Sequence, residues 1–239
     1  MPLPKLEHPI FEVYLKSLDK TIRYRPFLVK EEKLLLMAKE SEDLKEITSA
    51  VKQIINNCCI DPIDVDSLPT FDVEMFFVHL RINSVGETAQ MVYTCDNIVE
   101  DKVCEHKTEF DLQLKNIKYA ESEGHSNIIK LTQNIGVRFN YPSISIPESV
   151  LNNKFEDGGY EVIAEYLDYI YDQDQIYKKD TVTKEELNAF FDQLTLDQVQ
   201  NIKNFFLTCP KVALQQELAC SKCGHLHNVN VEGILSFFD

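Results

Sequence analysis

A chain of 239 residues with 44% hydrophobic content can bury one substantial core, as one domain or two small ones. Its net charge of −15, from 39 acidic against 24 basic residues, repels phosphate backbones and argues against groove-tracking nucleic-acid binding. No stretch approaches the roughly 18 to 20 uncharged apolar residues of a membrane span, and the opening MPLPKLEHP lacks the order of a secretory signal, so a soluble protein made in a cytosol is expected.

In chain order, period-two alternation predicts two strands, Ile10 to Lys16 and Thr21 to Arg25, joined by a turn at Ser17 to Lys20. Lys16, Lys20, Arg23 and Arg25 around this hairpin read as a solvated face. From Val29 apolar residues recur three and four apart, predicting two helices divided near Ser41-Glu42-Asp43. Asp61-Pro62 and Leu68-Pro69 mark a loop, after which Thr70 is expected to cap a helix over Phe71 to Asn83, with Val73, Phe76, Phe77 and Leu80 on its core side. Gly86 ends that helix, and a strand, Gln90 to Thr94, runs into Cys95.

Beyond Cys104, Phe110, Leu112 and Leu114 alternate with charged and polar residues as in a half-buried strand. Two further strands are expected near Ile128 to Leu131 and Ile135 to Tyr141. From Glu161 the spacing predicts a helix whose stripe is Val162, Ile163, Tyr166, Leu167 and Ile170. Thr183 and Thr195 each open a capping box, with Glu186 and Gln198 three residues on. The chain closes as strand, Cys-x-x-Cys, strand and a short apolar tail.

Seven cysteines in a reducing compartment point to metal before disulfides. Cys220-Ser221-Lys222-Cys223-Gly224-His225 lies between the alternating runs Leu214 to Ala219 and His227 to Val231. Two thiolates on such a tight turn can face one ion, and glycine eases the bend. This half-site needs two more ligands, and Cys95 and Cys104, also set between alternating runs, are the natural ones. Laying Cys104 on Cys223 puts His106 on His225, Phe110 on Val229 and Leu112 on Val231, the pattern of a degenerate internal repeat. The gap between Cys95 and Cys104 is longer than that of a compact knuckle, which leaves His106 and His225 as substitute ligands. A thioredoxin-like use of Cys220 and Cys223 is disfavoured because it needs a helix amino terminus at the first cysteine.

The remaining candidates carry less. Cys58 and Cys59 close a helix and Cys209 precedes a proline, so packing is expected of all three. Asp172-Gln173-Asp174 lacks the glycine and terminal glutamate of a calcium loop and reads as solvated. His8, His79 and His125 stand alone, and no nucleophile motif or electrophile accompanies the many carboxylates, so the protein is not expected to be an enzyme.

Several segments in order resemble the baseplate-hub family of T-even-type contractile phages. They are Arg25-Pro26-Phe27 with Glu31 to Leu36, Ile54 to Cys58, Phe77 with Leu80-Arg81, Ser84 and Gly86-Glu87, Tyr141-Pro142-Ser143, Phe190-Phe191 with Leu194-Thr195, and the closing Cys-x-x-Cys-Gly with Glu232 to Phe238. The resemblance implies a hub component or assembly factor in the virion tail baseplate, assembled in the host bacterial cytoplasm. It implies contacts with other hub proteins and the tape-measure protein, no enzymatic activity, and paired cysteine knuckles.

The reading is therefore an α+β chain, helical segments packed with short antiparallel strands and a zinc-ribbon-like module of two cysteine knuckle hairpins. It is taken as one compact chain, 1–239, with sub-regions 1–86, 87–120, 127–208 and 211–239. Cys95, Cys104, Cys220 and Cys223 are the expected ligands of a structural Zn2+. Phe237, Phe238 and Phe206 are the best candidates for partner contact, although core packing is the favoured reading of them, and a homo-oligomer is left open. The alternative is a zinc-ribbon adaptor that binds a host protein such as the transcription machinery. A metal-dependent hydrolase would require an open zinc position, which four thiolates would close.

Overall fold

In the computed structural model, residues 4, 6–41, 43–144 and 160–233 are described. The chain's internal contacts divide it into two compact units, Met1–Ala120 with Lys211–Asp239, and Glu121–Pro210, where the sequence reading takes one body with sub-regions.

The first unit opens with strands β1 (Phe11–Leu15) and β2 (Lys20–Tyr24), paired antiparallel so that Val13, Leu15, Ile22 and Tyr24 all turn inward. Helices α1 (Val29–Ser41) and α2 (Leu44–Cys58) divide where the sequence predicts, and the Asp43 carboxylate caps α2 by accepting the Lys45 N–H. Ile47, Val51, Ile54, Ile55 and Cys58 form the buried stripe of α2.

Helix α3 (Thr70–Ser84) is buried along nearly its whole length rather than on one side. Its cap differs from expectation. The carbonyl of Pro69 accepts the N–H groups of Asp72 and Val73, so the helix starts one residue early and Thr70 is already in its first turn. Burying Asp72 demands partners. Its carboxylate accepts the N–H groups of Lys16 at 3.0 Å and Ser17 at 2.9 Å and the Tyr119 hydroxyl at 2.7 Å, joining three distant segments. Strands β3 (Thr88–Thr94), β4 (Ile98–Val99), β5 (Lys102–Val103), β6 (Lys107–Gln113) and β7 (Lys118–Ala120) follow; β3 pairs with β6, and β4 with β5.

The second unit is a four-stranded antiparallel sheet in the order β11-β10-β9-β8, from β8 (Ile128–Lys130), β9 (Gly136–Phe139), β10 (Leu167–Tyr171) and β11 (Ile176–Lys178). Among the described residues helices α4 (Tyr160–Tyr166), α5 (Lys184–Phe191) and α6 (Leu196–Leu207) accompany it, and both expected capping boxes form, at Thr183 and Thr195. The helix predicted from Glu161 through Ile170 is corrected here: it stops at Tyr166 and Leu167 begins a strand. The register slips between Leu167 and Tyr169, a bulge that turns both Leu167 and Ile170 inward although they are three apart. That spacing imitates a helix.

The chain then returns to the first unit as β12 (Lys211–Ala219) and β13 (Leu226–Glu232), and β12 lies between β13 and β7. The architecture is thus mixed helix and antiparallel sheet, and none of the described helices is long and apolar enough to cross a membrane.

Candidate metal centre

Two hairpins of the first unit, β3 with β6 and β12 with β13, end in the same backbone loop. In the central one the Cys95 N–H donates to the His106 carbonyl and the Cys95 carbonyl accepts the Glu105 N–H, both at 2.9 Å. In the C-terminal one the Cys220 N–H donates to His225 and the Cys220 carbonyl accepts from Gly224, again both at 2.9 Å. Glu105 (φ 51°) and Gly224 (φ 71°) both take the left-handed conformation that this bend requires. Strand registers continue the match, with Thr94 opposite Lys107 and Ala219 opposite Leu226. The internal repeat therefore has a structural counterpart.

The long gap in the central knuckle has a simple form. Residues 98–103 make a hairpin of their own, β4 and β5, whose base is closed by the Cys104 N–H donating to the Asn97 carbonyl at 2.8 Å. Leaving it out restores Cys95-Asp96-Asn97-Cys104, a two-residue spacer like that of Cys220 and Cys223.

The four sulfurs lie within 4.8 Å of one another, with Cys95 to Cys223 at 3.6 Å and Cys104 to Cys220 at 4.0 Å. A tetrahedron of sulfurs about 2.3 Å from a zinc ion has an edge of about 3.8 Å, so the observed pairs bracket it. Disulfide bonding, at about 2.0 Å, is far from this spacing, and all four are free thiols. Cys95 and Cys220 are buried; Cys104 and Cys223 are half-buried.

The electrostatics differ between the two knuckles. Backbone N–H groups, that of Cys223 foremost and then that of Lys222, point at the Cys220 sulfur and pull its thiol down to about 6. Removal from water pushes Cys95 up to about 12, although the Asn97 N–H opposes this and the neighbouring sulfurs add to it. Crowded thiolates repel one another unless a cation sits among them, and four soft donors at tetrahedral spacing suit Zn2+.

The substitute ligands lie elsewhere. His106 Nε2 is 2.8 Å from Ser221 Oγ, a bond between the knuckles, and the His225 ring packs edge-on to His227 with centroids 4.7 Å apart. His227 was not anticipated. It is buried at 7% exposure, with Nε2 3.2 Å from Cys95 Sγ and Nδ1 3.4 Å from Asp96 Oδ1. The signal was present: His227 is in phase with Val229 and Val231 on the inward face of the alternating strand.

Among the expected contact residues, Phe206 is buried in the core of the second unit, against Phe139, Tyr166 and Phe205, while its neighbour Leu207 is 63% exposed. Phe237 and Phe238 lie outside the described residues. Cys58 is buried and its thiol is raised to about 11 by that burial. Asp172 ties the β10–β11 turn by accepting the N–H groups of Asp174 and Gln175.

A family model described as T4 bacteriophage base plate protein matches residues 8–239. Comparison with curated proteins gives no match, and neither does comparison with solved structures.

Proposed function

This chain belongs to the T4 bacteriophage base plate protein family, and on that premise we propose that it is a structural or assembly subunit of the baseplate hub, stapled by one structural zinc ion. In this reading it contacts other hub proteins and the tape-measure protein and sits in the virion tail. The observation that carries the zinc assignment is the convergence of Cys95, Cys104, Cys220 and Cys223 within 4.8 Å. Four thiolates would fill a tetrahedral ion, leaving no position for a reactive water, so the site is suited to holding chain rather than to hydrolysis. Hub placement rests on the family together with the ordered resemblance running from Arg25 to Phe238.

The test is native mass spectrometry with metal analysis on the purified protein and on isolated baseplates. One zinc per chain, lost in Cys104→Ser and Cys220→Ser together with a lowered unfolding midpoint, is expected, because structural zinc contributes folding free energy directly. Recovery with hub and tape-measure proteins supports the placement. A metal-free wild type would sink the zinc reading, and failure to associate with any baseplate component would sink the hub reading.

A further inference from the structure

We infer that His227 is a positioning residue of the metal centre, holding the Cys95 sulfur by a hydrogen bond that crosses from one knuckle to the other. The inference rests on the zinc reading above. A metal-bound thiolate accepts hydrogen bonds and cannot donate them, so Nε2, 3.2 Å from Cys95 Sγ, carries the proton.

The reason such a donor is needed lies in the inserted hairpin. In the compact knuckle the Cys220 sulfur receives the N–H groups of both Cys223 and Lys222. The corresponding Cys104 N–H is diverted to the Asn97 carbonyl at the base of the insert. Cys95 keeps the Asn97 N–H, and His227 supplies a donor where the insert removed one. Thus a side chain from β13 replaces a backbone group of the central loop.

The ring is placed for this task, with Tyr93 against it at 4.8 Å between centroids and His225 at 4.7 Å. The repeat has a corresponding contact. Thr108, the counterpart of His227, reaches Ser221, the residue after Cys220, with Oγ1 3.5 Å from Oγ. His227 likewise reaches across to the opposite knuckle, where its longer side chain meets the Cys95 sulfur.

The test compares the full-length zinc-loaded protein with His227→Phe and His227→Gln, measuring zinc affinity by chelator competition and the sulfur-to-metal charge-transfer band after Co2+ substitution. Loss of a group that orients a ligand typically weakens metal binding about 10- to 100-fold, and that loss with a shifted band is expected of His227→Phe. His227→Gln keeps an N–H donor and is expected to recover most of both. A merely packed ring would be well replaced by phenylalanine, so wild-type affinity and band in His227→Phe overturns the inference. If that variant does not fold, His227→Gln decides, and a band displaced together with affinity lowered about 10-fold or more overturns it. A wild type that takes up no metal instead overturns the zinc reading beneath it.

Discussion

Excising residues 98–103 and joining Asn97 to Cys104 should leave a protein that still binds one zinc. The two residues to be joined face each other across an antiparallel pair, where Cα atoms stand about 5.5 Å apart, against 3.8 Å across a peptide bond, so the loop must close by only about 1.7 Å. Shortening the spacer between Cys95 and Cys104 from eight residues to two lowers closure entropy by about 1.2 kcal/mol. Removing Glu100 (φ 50°) and Asp101 (φ 63°), both left-handed without being glycine, relieves about 1 kcal/mol each. Against this stands the partial burial of Ile98, Val99 and Val103, which are 67%, 43% and 50% exposed, together about 3 kcal/mol. These terms offset to within about 1 kcal/mol, so a midpoint near wild type is expected from thermal unfolding, with zinc content unchanged by metal analysis.

The same deletion tests why His227 is needed. Once the cysteine N–H is returned to the Cys95 sulfur, the loss of affinity caused by His227→Phe should shrink relative to the full-length background, a coupling read from a double-mutant cycle. A shortened chain that takes up no zinc would refute the view of the insert as grafted onto a compact knuckle. An equal effect of His227→Phe in both backgrounds would refute the replacement of one donor by the other.

Other outcomes follow from single sites. Asp72→Ala leaves the Ser17 N–H without its acceptor and weakens that of Lys16, which should cost about 3 kcal/mol in urea unfolding; a cost below about 1 kcal/mol would show that water replaces the carboxylate. Gly136→Ala would set a Cβ against the Tyr171 ring and 2.7 Å from the Ile129 carbonyl oxygen, and overpacking of this kind costs about 1 to 3 kcal/mol, measurable as an earlier denaturant midpoint. Asp61 accepts the Arg23 backbone N–H and its guanidinium, which hold its carboxyl at about 2 against an ordinary 3.8. The folded state thus binds the proton less readily, so this contribution is complete above pH 3.8 and lost as pH falls toward about 2. Asp61→Asn should flatten the midpoint's pH dependence in that window, and an unchanged slope would contradict the assignment.

Much of the fold was legible because it follows local rules. The alternation of Val13 and Leu15 against Ile22 and Tyr24, the stripe of α2 and the two capping boxes needed no tertiary knowledge. At Leu167 and Ile170 the bulge in β10 gave a strand the spacing of a helix, and pairing with β9 decided against it. Short strands such as β7 and β11 carry too few residues for a periodic signal and exist through their partners. At the site, the four cysteines could be paired from sequence because the flanking alternation repeats around both pairs. His106 and His225 drew attention by standing two residues from a cysteine, yet both follow the left-handed bend at Glu105 and Gly224 and precede the strands that begin at Lys107 and Leu226, outside the alternation that turns side chains inward. His227, two residues further along, shares the inward face and is the histidine that reaches sulfur.

The position of the site within the chain gives a reason for a metal at all. The first unit is assembled from two pieces of sequence, and the ladder joining them, Lys211 with Ala120, Val212 with Tyr119 and Ala213 with Lys118, closes over residues 121–210. Closing a loop of that length costs about 4 kcal/mol. Three residue pairs at about 1 kcal/mol per net hydrogen bond fall short of it; the buried Val212, Leu214, Val229 and Val231, the Gln216 side chain bridging the Gln113 N–H and the Asp111 carbonyl, and the His106–Ser221 bond add to the attachment. The thiol cluster spans the same gap, since Cys104 and Cys220 are 116 positions apart. A structural zinc supplies about 10 to 16 kcal/mol in small domains, several times the closure cost, and bound at this cluster it would act on the same returning hairpin. With such a clip, the return of the chain after a long excursion would depend less on a short ladder, which suits a part that must hold its shape within a larger assembly.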